Sequence, residues 1–206
     1  MRKNILITGA SSGLGAGMAR AFAARGRNLA LCARRTERLD ALRDELLAAH
    51  PGIQVHVRQL DVTDHDRVFA VFRAFRDDLG SLDRVIVNAG LGKGAPLGTG
   101  YFYANRQTAM TNFVGALAQC EAALEIFRAQ NAGHLVTISS VSAVRGLRGP
   151  LTTYAATKAG LTSLSEGIRA DVMGTPIAAS ARSSGRSSPR KRPRTSRRGP
   201  GRASPS

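Results

Sequence analysis

Apolar positions along the chain fall into two alternating rhythms. Short, nearly continuous apolar runs of strand length occupy residues 4–8 and 28–33, and an Ala-rich helical stretch, 16–25, lies between them. The alternation continues with a helix over 36–50, a strand over 54–59, a helix over 63–79 and a strand over 82–88. A long helix from about 105–130, a strand over 133–139 and a helix carrying Tyr154 and Lys158 follow. Strands alternating with helices predict an α/β protein, a parallel sheet with helices on both faces. Ligands of such open sheets bind outside the carboxyl ends of the strands. Polar residues gather at those ends: Arg34 and Arg35 after the second strand, Asp61 after the third, Asn88-Ala89-Gly90 at the fourth, Ser139-Ser140 at the fifth.

The loop between the first strand and its helix reads Gly9-Ala-Ser11-Ser12-Gly13-Leu14-Gly15. A glycine loop between strand and helix lets backbone amides approach a pyrophosphate, whose charge is favoured by the positive end of the helix. The spacing Gly-x-x-x-Gly-x-Gly departs from the Gly-x-Gly-x-x-Gly dinucleotide fingerprint, because Met18 stands where a third glycine would be needed. A plain glycine-rich turn is the alternative. At the end of the second strand an acid would hold the adenosine ribose hydroxyls, whereas arginine accommodates a 2′-phosphate. Arg34 and Arg35 stand there without an acid. They point to NADP over NAD, since a guanidinium matches phosphate in bidentate geometry. The alternative, a solvated arginine opening the next helix, fits Arg35 better than Arg34.

Tyr154 and Lys158 are four residues apart in Thr153-Tyr-Ala-Ala-Thr-Lys158. On a helix they share a face, so the ammonium can stabilise the phenolate and lower the phenol's pKa from about 10. A phenol poised near neutrality is a usable general acid or base. The spacing alone is also that of an ordinary helix; the glycine loop upstream gives it meaning.

Taken in order, these motifs resemble the short-chain dehydrogenase/reductase family over residues 1–177. Thr8 through Gly15 looks like the family's cofactor loop, Asp61-Val62 like its adenine contact, and Asn88-Ala89-Gly90 like its fourth-strand motif. Asn112, Ser140, Tyr154 and Lys158 resemble its catalytic tetrad. Ser140 lies fourteen positions before Tyr154, one more than is usual in the family, and the loop over 146–153 can absorb the extra residue. Ser142 is a weaker candidate, and Ser139 points to the other side of its strand. The resemblance implies a Rossmann-type doubly wound sheet and an oxidoreductase moving hydride between NADPH and a carbonyl or alcohol. Tyr154 would exchange the proton, Ser140 steady the developing alkoxide, Lys158 lower the phenol pKa and hold the nicotinamide ribose, and Asn112 anchor a water relay. It also implies a homo-oligomer, if the chain is complete, acting on a small molecule.

Composition sets the outer bounds. With 206 residues, no apolar run of membrane-spanning length and an amino terminus running straight into a strand, the chain reads as one soluble cytoplasmic domain. Cys32 and Cys120 read as buried free thiols, and the four histidines show no metal-ligand spacing. The net charge of +16 suggests nucleic acid, but nine Lys or Arg and no acid fall within residues 174–206. Residues 1–173 hold 21 basic and 14 acidic groups, a net +7. Of the 29 residues from 178 onward, 27 are Gly, Ala, Ser, Pro or Arg. The expectation is an incomplete NADP-binding catalytic domain over 1–177 and a disordered basic tail over 178–206. The abrupt change is read as a frame shift in a GC-rich gene, with an evolved basic arm as the alternative. On the first reading the last strands are missing, the fifth strand becomes an exposed edge and the chain can be inactive. Two other functions stand beside the oxidoreductase: a basic nucleic-acid-binding protein on a nucleotide-binding scaffold, and a non-catalytic nucleotide-binding scaffold.

Overall fold

The computed structural model describes residues 3–184. Its strands are β1 (Asn4–Thr8), β2 (Asn28–Ala33), β3 (Val55–Gln59), β4 (Arg84–Val87), β5 (Gly133–Ser140) and β6 (Ile177–Ser184). Its α-helices are α1 (Gly13–Ala23), α2 (Thr36–Ala49), α3 (His65–Leu79), α4 (Phe102–Ala109), α5 (Gly115–Gln130) and α6 (Thr152–Asp171). All strand pairs are parallel, in the order β3-β2-β1-β4-β5-β6. The order reverses between β1 and β4, and the carboxyl ends of those two strands open the crevice that such a switch creates.

Continuous apolar runs suit the central strands because both faces are covered: every residue of β1 and β2 is buried. Alternate side chains feed two cores. Leu6, Val85 and Leu135 pack under α3, α5 and α6, with Phe72, Phe75 and Phe127 among the contacts. Ile5, Ile7, Leu29 and Leu31 pack under α1 and α2, against Ala19, Ala23, Leu39 and Leu42. Helix ends follow local chemistry: Asp64 caps α3 by accepting from Arg67 N at 3.2 Å, and Gly80 ends that helix at φ 75°.

Two expectations change. The sheet does not end at β5: β6 pairs with it in register from Gly133↔Ile177 to Ser140↔Ser184. Strand pairing is carried by the backbone, so a segment of small residues suffices. Ile177 and Ala179 are buried, Ser180 Oγ lies 2.6 Å from His134 Nε2, and Ser184 Oγ donates to Ser139 O at 3.0 Å. The folded unit therefore runs past 177 to at least Ser184, and among the described residues β6 is the outer strand in place of β5. The expected basic tail lies, from 185 on, outside the described residues. Second, the long helix begins at Phe102 and widens into a π-turn, Met110–Val114, between α4 and α5.

Candidate active site

The crevice at the switch point has a volume of about 490 Å³. Its floor is the glycine loop. Gly9 has φ 65°, and a Cβ there would stand 2.9 Å from Ala89 Cα. A Cβ on Gly15 would meet Gly9 O and come within 2.8 Å of Asn88 Nδ2. Glycine is needed at both for the loop to lie against β4. Asn88 locks that contact: Nδ2 donates to Thr8 O at 2.9 Å, while Thr8 Oγ1 accepts from the amides of Asn88 and Ala89 at 3.0 Å. Asn88, Ala89 and Gly90 line the crevice together with Gly9, Ser11, Ser12 and Leu14. Gly13 and Gly15 open α1, whose amino end faces the loop.

Arg35 precedes α2 in extended conformation (φ −96°, ψ 97°), which throws its side chain back over the loop. Nη2 donates to Ser12 Oγ at 2.8 Å and to Ser11 Oγ at 3.1 Å. Arg34 leans the other way, with Nη1 3.8 Å from Asp61 Oδ2. The Asp61 carboxylate is held by Thr63, whose N and Oγ1 donate to Oδ1 at 3.0 and 2.9 Å. Arg34, Arg35, Asp61 and Val62 all line the crevice. The set suits a dinucleotide: a close-approach glycine cradle, serine hydroxyls, two guanidiniums and a helix amino end.

Beyond the crevice lie the groups of the tetrad. Asn112 sits in the π-turn, fully buried; its Oδ1 accepts from Leu91 N at 2.6 Å and its Nδ2 donates to Leu91 O at 2.8 Å. A side-chain amide docked on the backbone of the segment that follows β4 competes with regular helix geometry, and widened turns of this kind recur at functional sites. Lys158 is 5% exposed, and its Nζ donates to Ile138 O at 2.7 Å. Burial pulls its pKa down from 10.5 to about 8. Gly90 brings the two together, since a Cβ there would lie 3.2 Å from Asn112 Oδ1 and 3.7 Å from Lys158 Nζ. Tyr154 is half-buried one turn before Lys158, and among the described residues no hydrogen bond engages its hydroxyl. Ser140 closes β5, its Oγ accepting from Ser142 N at 3.1 Å.

Sequence reading passed over several residues. Leu60, Leu91 and Thr111 also line the crevice; each adjoins a residue already singled out, and adjacency was the available signal. Thr8 was read as the start of the cofactor loop, but not as the hydroxyl that holds Asn88 and Ala89. Thr157, whose Oγ1 lies 3.4 Å from Asn112 Nδ2 and donates to Tyr154 O at 2.7 Å, links two tetrad members. Cys32 and Cys120 are buried free thiols, and burial raises both pKa values, that of Cys120 to about 12.

A family model described as short chain dehydrogenase matches residues 3–188. The chain belongs to the short chain dehydrogenase family. The match takes in β6, so family likeness extends beyond the residue 177 expected from the sequence. An uncharacterized oxidoreductase of Mycobacterium tuberculosis (strain H37Rv) is 55% identical over 184 residues, 89% of this chain and 73% of that protein. Among solved structures, the alcohol dehydrogenase of the archaeon Thermococcus sibiricus, complexed with 5-hydroxy-NADP, is 28% identical with a TM-score of 0.77. That likeness covers 82% of this chain and 71% of the other. A short chain dehydrogenase/reductase of Burkholderia phymatum in complex with NAD is 28% identical, with a TM-score of 0.81 over 87% of this chain and 64% of the other. The family is one of oxidoreductases with nicotinamide cofactors, and this short chain dehydrogenase carries the corresponding crevice.

Proposed function

We propose that the chain is an NADP-dependent oxidoreductase that moves hydride between NADPH and a carbonyl or alcohol, with Tyr154 as the proton donor and acceptor. The observation that carries this reading is Lys158, buried one helical turn beyond Tyr154 with its ammonium between Ile138 O and the Gly90–Asn112 contact. Residues four apart on a helix share a face, so the ammonium and the phenol are presented to the same side. When bound, the reduced nicotinamide supplies the hydride. Tyr154 gives its hydroxyl proton to the substrate oxygen during reduction and takes it back during oxidation. The Ser140 hydroxyl, whose oxygen accepts from Ser142 N, keeps its own hydrogen for that oxygen and steadies the developing charge. Asn112, clamped on Leu91, holds the end of the path by which a proton returns to Lys158. Gly9, Ser11, Ser12, Gly13, Leu14 and Gly15 would hold the pyrophosphate, Asp61 and Val62 the adenine, Asn88 to Gly90 the central ribose region, and Lys158 the nicotinamide ribose.

The choice of NADP over NAD rests on Arg34 and Arg35, with Arg35 already lying across the serines of the loop. The same reading places the chain in the cytoplasm, where two buried thiols stay reduced. Among the described residues no helix is long and apolar enough to cross a membrane. We also read the working form as an assembly of copies acting on a small molecule. Tyr154→Phe removes only the transferable proton. Carbonyl reduction, followed as NADPH loss over a panel of ketones and aldehydes, should fall by about 10²–10⁴ while NADPH affinity is nearly kept. Retention of most of the turnover would defeat the assignment.

A further inference from the structure

Lys158 is gripped by β5 at both ends. Its Nζ donates to Ile138 O at 2.7 Å, and its own backbone carbonyl is met by two hydroxyls, Ser139 Oγ and Thr162 Oγ1, each at 3.0 Å. Those two oxygens are 2.7 Å apart. Two hydroxyl protons thus serve a closed triangle, one bonding the carbonyl and the other joining the two hydroxyls.

The two hydroxyls have different mechanical roles. Thr162 bonds back one turn along its own helix, a common intrahelical contact that by itself does not locate α6 on the sheet. Ser139 belongs to the strand and is 1% exposed. Its hydroxyl turns the intrahelical contact into a tie between β5 and the backbone of Lys158. Two residues earlier on the same strand face, Thr137 Oγ1 lies 2.6 Å from Ser165 Oγ, which donates to Leu161 O. Polar ties at two levels therefore set how α6 sits along β5. A slip of one residue, about 1.5 Å of helix rise, would carry Nζ off the Ile138 carbonyl.

We propose that Ser139 and Thr162 are positioning residues for catalysis: by pinning the Lys158 backbone to β5 they hold its ammonium on Ile138 O, beside Gly90 and Asn112. The proposal rests on reading Lys158 as the partner of Tyr154. Ser139 stands next to Ser140 but serves the opposite side of the strand, Ser140 toward the reacting atoms and Ser139 toward the lysine's helix. Ser139, buried, and Thr162, partly buried, thus aim two hydroxyls at one carbonyl that its own helix already bonds.

The test uses the full chain, whose lysines stand only at 3, 93, 158 and 191, so lysine labelled with ¹³C at Cε gives a short, assignable set of NMR signals. In the unaltered chain Lys158 should titrate near 8, as its burial dictates. Ser139→Ala and Thr162→Val each remove one hydroxyl; Thr162→Ser keeps it and serves as the rescue. In the first two, Nζ drifts toward water and the Lys158 midpoint rises by about one pH unit as burial is relieved. Thr162→Ser should restore the low midpoint. Either deletion suffices if the other fails to fold. A lowered melting temperature with Lys158 still titrating near 8 in the deletion variants would overturn the proposal, leaving both residues merely structural. A Lys158 that titrates near the ordinary lysine value of 10.5 in the unaltered chain would overturn it as well. Failure of the Tyr154 mechanism is separately visible, since an active Tyr154→Phe would leave this titration unchanged.

Discussion

Replacing Lys158 with methionine should change not only how stable the protein is but how its stability depends on pH. The ammonium is buried, and burial alone lowers its pKa from 10.5 to about 8. Below about pH 8 the lysine is protonated in both folded and unfolded chains, and the full cost of burying the charge is present. Between about 8 and 10.5 the unfolded chain still binds a proton that the folded chain has released, so stability rises with pH through that window. At 1.36 kcal/mol per pH unit the gain is about 3 kcal/mol. Cys32 and Cys120 act in the opposite sense: their raised pKa values favour the folded state below the unfolded thiol value of 9.0, and that advantage is lost above it. The comparison must therefore be a difference between two proteins that both keep the cysteines. Urea unfolding of the unaltered chain and of Lys158→Met, followed by far-ultraviolet circular dichroism, gives that difference. It should be constant below pH 8 and move by about 3 kcal/mol in favour of the unaltered chain by pH 10.5. With a urea slope of about 2 kcal/mol/M, this is a relative midpoint shift of about 1.5 M. Parallel curves across pH 7 to 10.5 would show that the lysine is not held as a buried ammonium.

Three further outcomes follow from the geometry. Gly15→Ala puts a methyl against Gly9 O and Asn88 Nδ2, and overpacking of this kind should cost about 3 kcal/mol and abolish nucleotide binding, read by thermal unfolding and NADPH titration; wild-type values in both would mean the loop does not lie against β4. Arg35→Ala should weaken NADPH by about tenfold or more, as expected for losing a charge-assisted hydrogen bond, and leave NADH nearly unchanged; an equal effect on both would remove the basis for the NADP preference. Removing residues 185–206, which hold eight of the nine basic groups beyond 173, should abolish salt-sensitive DNA binding in a gel-shift assay while NADPH affinity is kept; DNA binding that persists would favour the nucleic-acid reading of the scaffold.

How much of this was legible in the sequence depends on the range of the interactions involved. The strand, glycine loop and helix over 4–25 could be read because each is set by neighbours along the chain: a continuous apolar run, then glycines, then alanines. Tyr154 and Lys158 were legible for the same reason, as a spacing on one helix. The π-turn at Asn112 was not, because it depends on an amide docking on Leu91, twenty-one residues away. Nor was β6, since Ile-Ala-Ala-Ser-Ala-Arg-Ser-Ser offers few apolar residues and becomes a strand through its backbone pairing with β5. For the phosphate site the sequence favoured Arg34 over Arg35. The fold sets Arg35 over Ser11 and Ser12 and turns Arg34 toward Asp61, a choice made by the backbone direction at the start of α2.

The central claim, a crevice built for NADP, is most directly tested by titrating the unaltered chain with NADPH and with NADH. The chain has no tryptophan, so the rise in nicotinamide fluorescence on binding can be read with little background. Both nucleotides should bind at one site, NADPH about ten- to a hundredfold more tightly, the difference expected from one to two charge-assisted contacts to a 2′-phosphate. Equal affinity for the two, or no binding of either, would contradict the account.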